Sequence, residues 1–188
     1  MTRLHLVRHG PTHAKAIIGW TDLPADLSDH AALARLSALL PQAPVISSDL
    51  IRAADTARAL AQDRPRLPAD PRLREIHFGA WEGRSHAQID AEDPAAIRAF
   101  WDSTGEARAP GGESWNDMAQ RVLAAVQDLT GPPDVIVVAH FGAILDVVQR
   151  ALRLEVQQVF AQRIDNLSLT EVHCAATGWT VPRINHLA

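Results

Sequence analysis

Short apolar segments alternate along the chain with longer segments in which apolar residues recur at helical spacing. This alternation is typical of strands connected by helices, and it predicts an α/β fold. Residues 134–139 form the most apolar segment, as expected of a central parallel strand that is buried on both faces. The predicted strands are residues 3–7, 44–47 and 134–139, followed by a closing hairpin of 167–173 and 178–184.

Helix boundaries are indicated by polar residues that can cap an amino terminus and by prolines or glycines that end a helix. Ser28 is predicted to cap a first helix, which Pro41 ends, and Asp49 is predicted to cap a second helix. The predicted helices are residues 29–40, 50–62, 113–129 and 142–152, with shorter pieces near 85–91 and 94–101.

The chain has 188 residues, of which 47% are hydrophobic and 21% are charged, as is typical of a soluble globular protein. We therefore expect residues 1–188 to form a single domain. The segment 84–112 lacks a strong period and is expected to form a lid-like insertion over a sheet edge. No segment approaches the roughly 18 consecutive apolar residues of a membrane helix. The one cysteine, Cys174, can form no internal disulfide, which favours a cytoplasmic location.

The net charge of -4 argues against binding to nucleic acid, because such binding depends on dense positive charge. Any affinity for anions must therefore be local. Lys15 is the only lysine of the chain, and it lies six positions after His9 in the same predicted loop.

Candidate chemistry first appears where the amino-terminal strand ends, at Arg8, His9 and Gly10. Ligands of open α/β sheets bind at the carboxyl ends of the strands, which is where this triplet is expected to lie. An arginine offers a planar fork of donors that suits phosphate, and an imidazole can act as a nucleophile or carry a proton near neutral pH. The triplet alone is weak evidence, because short motifs recur by chance.

Three later points where a predicted strand or loop leads into the next element also carry a residue that can be charged. Arg52 falls in the first turn of a predicted helix, where the helix dipole attracts anions. Glu75 precedes the aromatic residues Phe78 and Trp81, which could screen it from water, and His140 follows the most apolar strand. This repetition predicts one shared site at the sheet edge.

Taken together, these segments resemble the motifs of the histidine phosphatase superfamily, the phosphoglycerate-mutase-like group. The resemblance extends over nearly the whole chain, and within the superfamily the short length resembles bacterial phosphatases such as the α-ribazole phosphatases. The motifs, in chain order, are Leu6–Thr12, Ser47–Ala53, Leu73–Gly83, Pro110–Ser114 and Val137–His140.

The resemblance implies a three-layer α/β/α sandwich with a mainly parallel sheet and one active site at its carboxyl edge. It implies that His9 is the nucleophile that becomes a phosphohistidine. Arg8, Arg52 and His140 would surround the phosphoryl group, and Glu75 would donate and accept the proton. The implied activity is hydrolysis of the phosphomonoester of a small metabolite.

Substrate-binding candidates follow from the same comparison with the family pattern. Relatives commonly have Asn where this chain has Lys15 and Gly where it has Phe141, so Lys15 could contact a second anionic group. The segment that includes Gly19 and Thr21 resembles one that lines the substrate pocket of the mutases, and Thr12 completes the candidate set.

No metal or other cofactor is expected. Phosphoryl transfer asks chiefly for positioning and charge stabilisation, which two guanidinium groups and a second imidazole can supply. The remaining histidines show neither the i, i+4 pairing nor the cysteine partners of a zinc site.

Two alternatives to the phosphatase stay open. A phosphoglycerate mutase needs the same five residues, but known mutases of this type carry longer insertions with more basic residues than the three arginines of segment 84–112. A non-catalytic phosphate-binding module is the second alternative. The expected partner is a small phosphorylated substrate, and neither nucleic acid nor membrane. The sequence identifies neither that substrate nor the oligomeric state, for which a homodimer is one possibility.

Overall fold

The computed structural model describes residues 1–102 and 105–188. Within these residues the chain forms the strands β1 (Thr2–Arg8), β2 (Val45–Ser47), β3 (Asp134–Ala139), β4 (Leu169–Ala175) and β5 (Gly178–His186). The helices are α1 (His30–Leu39), α2 (Ile51–Ala61), α3 (His86–Glu92), α4 (Pro94–Asp102), α5 (Trp115–Asp128), α6 (Phe141–Leu152) and α7 (Val156–Val159). The α/β fold is thus confirmed.

One sheet contains the five strands in the order β2-β3-β1-β4-β5. β3 lies between β2 and β1 and is parallel to both, as its continuous apolar sequence predicts. The expectation of a mainly parallel sheet is confirmed only in part, because two of the four strand pairings, β1 with β4 and β4 with β5, are antiparallel. Only Ala176 and Thr177 connect β4 to β5, and so short a connection can join antiparallel strands only.

Helices cover both faces of the sheet, as expected for three layers. Side chains alternate along β3, so Ile136 and Val138 pack with α1 and α2 in one apolar cluster. Val135 and Val137 point to the opposite face and join a larger cluster with α5 and α6. Arg8 ends β1 and His140 directly follows β3, so buried strands hold both residues at the sheet edge where the site lies.

The two predicted helix caps are wrong. Asp29, not Ser28, caps α1, since its carboxylate accepts from the Ala32 N–H at 2.9 Å. The N-cap residue of α2 is Leu50, which has no side-chain cap, and the Ile51 N–H donates to Asp22 Oδ1 at 2.7 Å. Asp49 instead accepts two hydrogen bonds from the guanidinium of Arg74, at 2.7 and 2.5 Å, and a charged partner is worth more to a carboxylate than a backbone N–H.

Segment 84–112 forms α3 and α4, close to the predicted short helices. Ile89 and Ile97 are buried and anchor these helices in the larger apolar cluster. Residues 103 and 104 of the predicted insertion lie outside the described residues, and a lid function for the segment stays a prediction.

Candidate active site

Four of the five predicted catalytic residues line one cavity at the carboxyl edge of β1. Arg8 is the last residue of β1 and His9 follows it, while Arg52 comes from α2 and Glu75 from the segment before Ile76. The cavity is open to solvent, and its empty volume, including the space at its mouth, is about 1090 Å³. The fifth residue, His140, follows β3 and lies directly behind, its ring centroid 5.1 Å from that of His9.

His9 is buried, and both of its ring nitrogens have a partner. Nδ1 lies 2.6 Å from the carbonyl oxygen of Gly10, and Nε2 lies 3.2 Å from Nε–H of Arg52. Because a carbonyl only accepts and a guanidinium only donates, the proton is on Nδ1 and the lone pair is on Nε2. Burial, together with the charges of Arg52 and Arg8, lowers the pKa of His9 to about 3. The ring is therefore a neutral imidazole with its nucleophilic nitrogen at the cavity.

Arg52 is buried in the first turn of α2. Its two terminal nitrogens donate to the carbonyl oxygens of Gly19, at 2.5 Å, and Thr21, at 2.9 Å. A Cβ on Gly19 would lie 1.9 Å from the Ile76 carbonyl oxygen, so only glycine fits there. Gly19 and Thr21, predicted to bind substrate, thus act on the site by orienting Arg52, and neither lines the cavity.

Arg8 donates to the carbonyl oxygen of Ile164 at 2.6 Å. Its guanidinium lies 5.5 Å from the centroid of the Phe141 ring, and its buried Nε has no hydrogen-bond partner among the described residues. An unpaired buried donor is costly, so this N–H is available for an anion in the cavity. Asn166 also lines the cavity and donates to the His9 carbonyl oxygen at 2.8 Å.

Glu75 is buried, with its carboxylate oriented by the backbone. It accepts from the N–H of Gly142, at 3.0 and 3.1 Å, and from its neighbour Ile76, at 3.0 Å. A Cβ on Gly142 would lie 2.3 Å from Glu75 Oε1, so a side chain there would displace the carboxylate.

His140 is fully buried, and neither ring nitrogen has a hydrogen-bond partner within residues 1–102 and 105–188. Burial, followed by the nearby imidazole of His9 and the charge of Arg52, lowers the pKa of His140 well below its usual value. A neutral His140 can donate one hydrogen bond towards an anion beside His9.

Two further charged residues hold the site together. The Glu82 carboxylate accepts from the backbone N–H groups of Gly19, Trp20 and Thr21 at 2.8 to 3.0 Å, which fixes the loop around Arg52. Arg121 on α5 donates to the Glu75 carbonyl oxygen at 2.7 Å and so fixes the residue that carries the carboxylate.

The other substrate-binding candidates lie in different positions. Thr12 and Phe141 line the cavity. Lys15 is exposed and is not part of the cavity wall, although its neighbours Ala14 and Ala16 are. Its contact with substrate stays a prediction.

Sequence reasoning missed Gly142, Asn166 and Arg121. Gly142 carried a signal, because a glycine at the start of α6 directly after the His140 motif allows close approach of another group. Asn166 lies in an irregular segment without a pattern, and Arg121 is one of many helix arginines. Only the three-dimensional contacts single these two out.

Within the described ranges, no group of three His, Cys, Asp or Glu side chains is arranged to hold a metal ion. None of the helices described there is long and apolar enough to cross a membrane.

Comparison with known proteins places this geometry in context. The family model described as "Histidine phosphatase superfamily (branch 1)" matches residues 4–187. The glucosyl-3-phosphoglycerate phosphatase of Mycolicibacterium vanbaalenii is 38% identical over 172 residues, which cover 82% of this chain and 76% of the relative. A probable phosphoglycerate mutase GpmB of Proteus mirabilis is 30% identical over 95% of this chain and 88% of its own length.

Among solved structures, the α-ribazole phosphatase from Shigella flexneri superposes with a TM-score of 0.83 at 26% identity. The match covers 98% of this chain and 96% of that chain. A solved phosphatase thus shares the fold described above, and relatives named as phosphatases and as mutases resemble this chain in sequence.

Proposed function

The chain belongs to the histidine phosphatase superfamily, branch 1, and from this membership and the site geometry we propose that it hydrolyses small phosphomonoesters through a phosphohistidine on His9. The observation that carries the proposal is the state of His9. A buried, neutral imidazole lines the cavity beside two guanidinium groups, and its lone pair is on Nε2, where it accepts from Arg52 Nε–H.

Binding begins with the phosphoryl group of the substrate. Arg52 has its fork held by two carbonyl groups and its Nε–H donated to His9 Nε2, so it acts on the phosphoryl group through its positive charge, whereas Arg8 offers its unpaired Nε–H. Hydrogen bonds to charged groups contribute about 1.5 to 3 kcal/mol each, so a few such contacts hold a small ester. His140 donates a further hydrogen bond to a phosphoryl oxygen.

In the first chemical step, His9 Nε2 forms a bond to phosphorus while the bond from phosphorus to the alcohol oxygen breaks. Glu75, in its protonated form, gives its proton to that leaving oxygen. The guanidinium groups stabilise the charge that the equatorial oxygens carry in the transition state. Nδ1–H, bonded to the Gly10 carbonyl, shares the positive charge of the phosphohistidine.

In the second step a water molecule attacks phosphorus from the side the alcohol has left. The Glu75 carboxylate takes a proton from this water, the bond from phosphorus to Nε2 breaks, and inorganic phosphate leaves. His9 and Glu75 return to their starting forms. Dividing one displacement into two gives each step a better nucleophile or leaving group.

A phosphoglycerate mutase is the second candidate, because a relative carries that name. A mutase must hold the carboxylate of its substrate as well as the phosphate. The three arginines of segment 84–112 are engaged elsewhere: Arg84 pairs with Glu92, Arg98 donates to the Pro94 carbonyl and Arg108 pairs with Asp117. These contacts favour the phosphatase.

The two candidates are separated by following phosphate release and the interconversion of 2- and 3-phosphoglycerate in the same samples. We expect phosphate release from 4-nitrophenyl phosphate and no interconversion above background. His9→Ala should lower the release at least about 10³-fold, as for other lost nucleophiles, whereas His30→Ala, at an exposed position on α1, should not change it. Interconversion faster than release would establish the mutase instead.

We also propose a cytoplasmic location, which the single buried cysteine, Cys174, supports because a reducing compartment suits a free thiol.

A further inference from the structure

A second cavity lies beside Glu75, and its wall is aromatic. It has an empty volume of about 460 Å³ counted out to its mouth. Six aromatic side chains line it: Phe78, Phe100, Trp101, Trp115, Phe141 and Phe160. Concave apolar surfaces of this kind, with few polar groups, are the usual form of small-molecule sites.

This aromatic cavity adjoins the catalytic cavity and shares part of its wall. Glu75, Phe78, Trp101 and Phe141 line both. In the proposed reaction the alcohol oxygen receives its proton from Glu75, so the carbon skeleton of the leaving alcohol must lie next to this residue. The aromatic cavity lies next to the same residue.

The wall offers no counter-charge to an anionic alcohol. Glu75 is the one charged side chain among the described residues that line this cavity. A carboxylate or second phosphate placed there would lose its hydration without gaining an ionic partner, which is costly.

The polar atom of one wall residue is already satisfied. Trp115 directs its indole N–H to Gln149 Oε1 at 2.8 Å, and its ring packs 4.9 Å from that of Phe160. The ring centroid of Phe160 lies 5.9 Å from that of Trp101. Such edge-to-face packing leaves an apolar, preformed surface facing the cavity.

We propose that the aromatic cavity binds the apolar part of the leaving alcohol, an alkyl chain or a single aromatic ring. The enzyme then selects phosphomonoesters of apolar alcohols over those that carry a carboxylate or a second phosphate. This inference rests on the proposed phosphatase activity and specifies the substrate class of that same site.

The test is kcat/KM for the n-alkyl phosphates from ethyl to hexyl, together with 3-phosphoglycerate. Because the leaving-group chemistry is nearly constant along the alkyl series, the trend reports burial of methylene groups. We expect a rise of about fourfold per methylene until the cavity is full, and at least about tenfold discrimination against 3-phosphoglycerate relative to butyl phosphate. Equal values for ethyl and hexyl phosphate would overturn the inference.

Failure of the inference can be told apart from failure of the proposed function. If none of these esters, nor 4-nitrophenyl phosphate, is hydrolysed, the phosphatase itself is wrong. If all are hydrolysed without dependence on chain length, only the apolar site is wrong. The wild-type series decides this without any variant.

A pair of variants locates the effect. Val156, a buried wall residue on α7, is replaced in Val156→Lys, which should flatten the alkyl series and narrow the discrimination against 3-phosphoglycerate. Trp179→Ala removes an aromatic ring that lines a different cavity, near Met1 and Cys174 at the opposite end of β1, and should leave the slope of the series unchanged. A slope that changes equally in both variants contradicts the assignment.

Discussion

At the scale of single residues, the reactivity of His9 comes from its immediate surroundings. The Gly10 carbonyl holds the proton on Nδ1, and the neighbouring guanidinium groups and burial keep the ring from taking a second proton. The predicted catalytic residues could be picked out because Arg8, His9 and His140 come where apolar strands end. Gly142 could not be assigned its role in this way, since its contact with Glu75 depends on how two distant segments approach each other.

The state of His9 predicts its titration. Because its pKa is lowered to about 3, the ring should remain neutral as the pH falls from 8 to 5. Two-dimensional NMR of the imidazole nitrogens, with His9→Gln to assign the signal, should show no shift change over this range. A midpoint near 6.5 in the folded enzyme would contradict the assigned environment.

The lowered pKa of His9 also makes the stability of the folded protein depend on pH. The unfolded chain binds a proton on His9 below about pH 6.5, whereas the folded protein does not until about pH 3. The folded state therefore binds fewer protons in this interval, so its stability falls as the pH decreases through it.

At the scale of secondary-structure elements, α5 holds the segment that carries Glu75. Arg121 on this helix donates to the carbonyl oxygens of Arg72, Arg74 and Glu75 at 2.6 to 2.9 Å. It also pairs with Glu113 at 2.7 Å. The period of α5 was predictable from its apolar positions, but the role of Arg121 was not, because it depends on a segment 46 or more residues away.

Replacing Arg121 tests this role. Arg121→Met leaves Glu113 without its charge partner and the carbonyls of Arg72 and Arg74 without their side-chain donor, so we expect a loss of about 3 kcal/mol in the free energy of unfolding. Urea denaturation measures it. We also expect kcat to fall, because the Glu75 carbonyl oxygen loses one of its two side-chain donors and keeps only the indole N–H of Trp20.

The matched control is Arg108→Met, which breaks the exposed ion pair with Asp117. Exposed pairs contribute less than about 1 kcal/mol, so this variant should stay close to the wild-type stability. Equal losses of unfolding free energy in Arg121→Met and Arg108→Met would mean that Arg121 contributes no more than a surface charge.

Helix caps show where element-level prediction fails. Ser28 and Asp29 are both good cap residues, and the sequence offers no reason to choose between neighbours. Asp49 was assigned to α2 because it precedes the helix, but its carboxylate pairs with Arg74, a residue of the segment that leads to Glu75. Local rules omit such long-range partners.

At the scale of the whole molecule, the site combines segments that are far apart in the chain. The parallel strands β1 and β3 end side by side, so Arg8, His9 and His140 meet as the topology predicts. β4 pairs with β5 as the predicted closing hairpin, whereas its antiparallel pairing with β1 was not predicted. The segment before β4 brings Asn166 to the cavity and the Ile164 carbonyl to Arg8, a contribution that no motif indicated.

The central claim is that the whole assembly serves one covalent intermediate on His9. The most direct measurement is rapid mixing with a ³²P-labelled phosphomonoester, denaturation in alkaline detergent and identification of the labelled peptide by mass spectrometry. The account predicts an alkali-stable, acid-labile label on the peptide that contains His9, and no label in His9→Ala. Label on another residue would contradict the account. So would the absence of label when the wild-type enzyme turns over under conditions in which hydrolysis of the phosphoenzyme is the slow step.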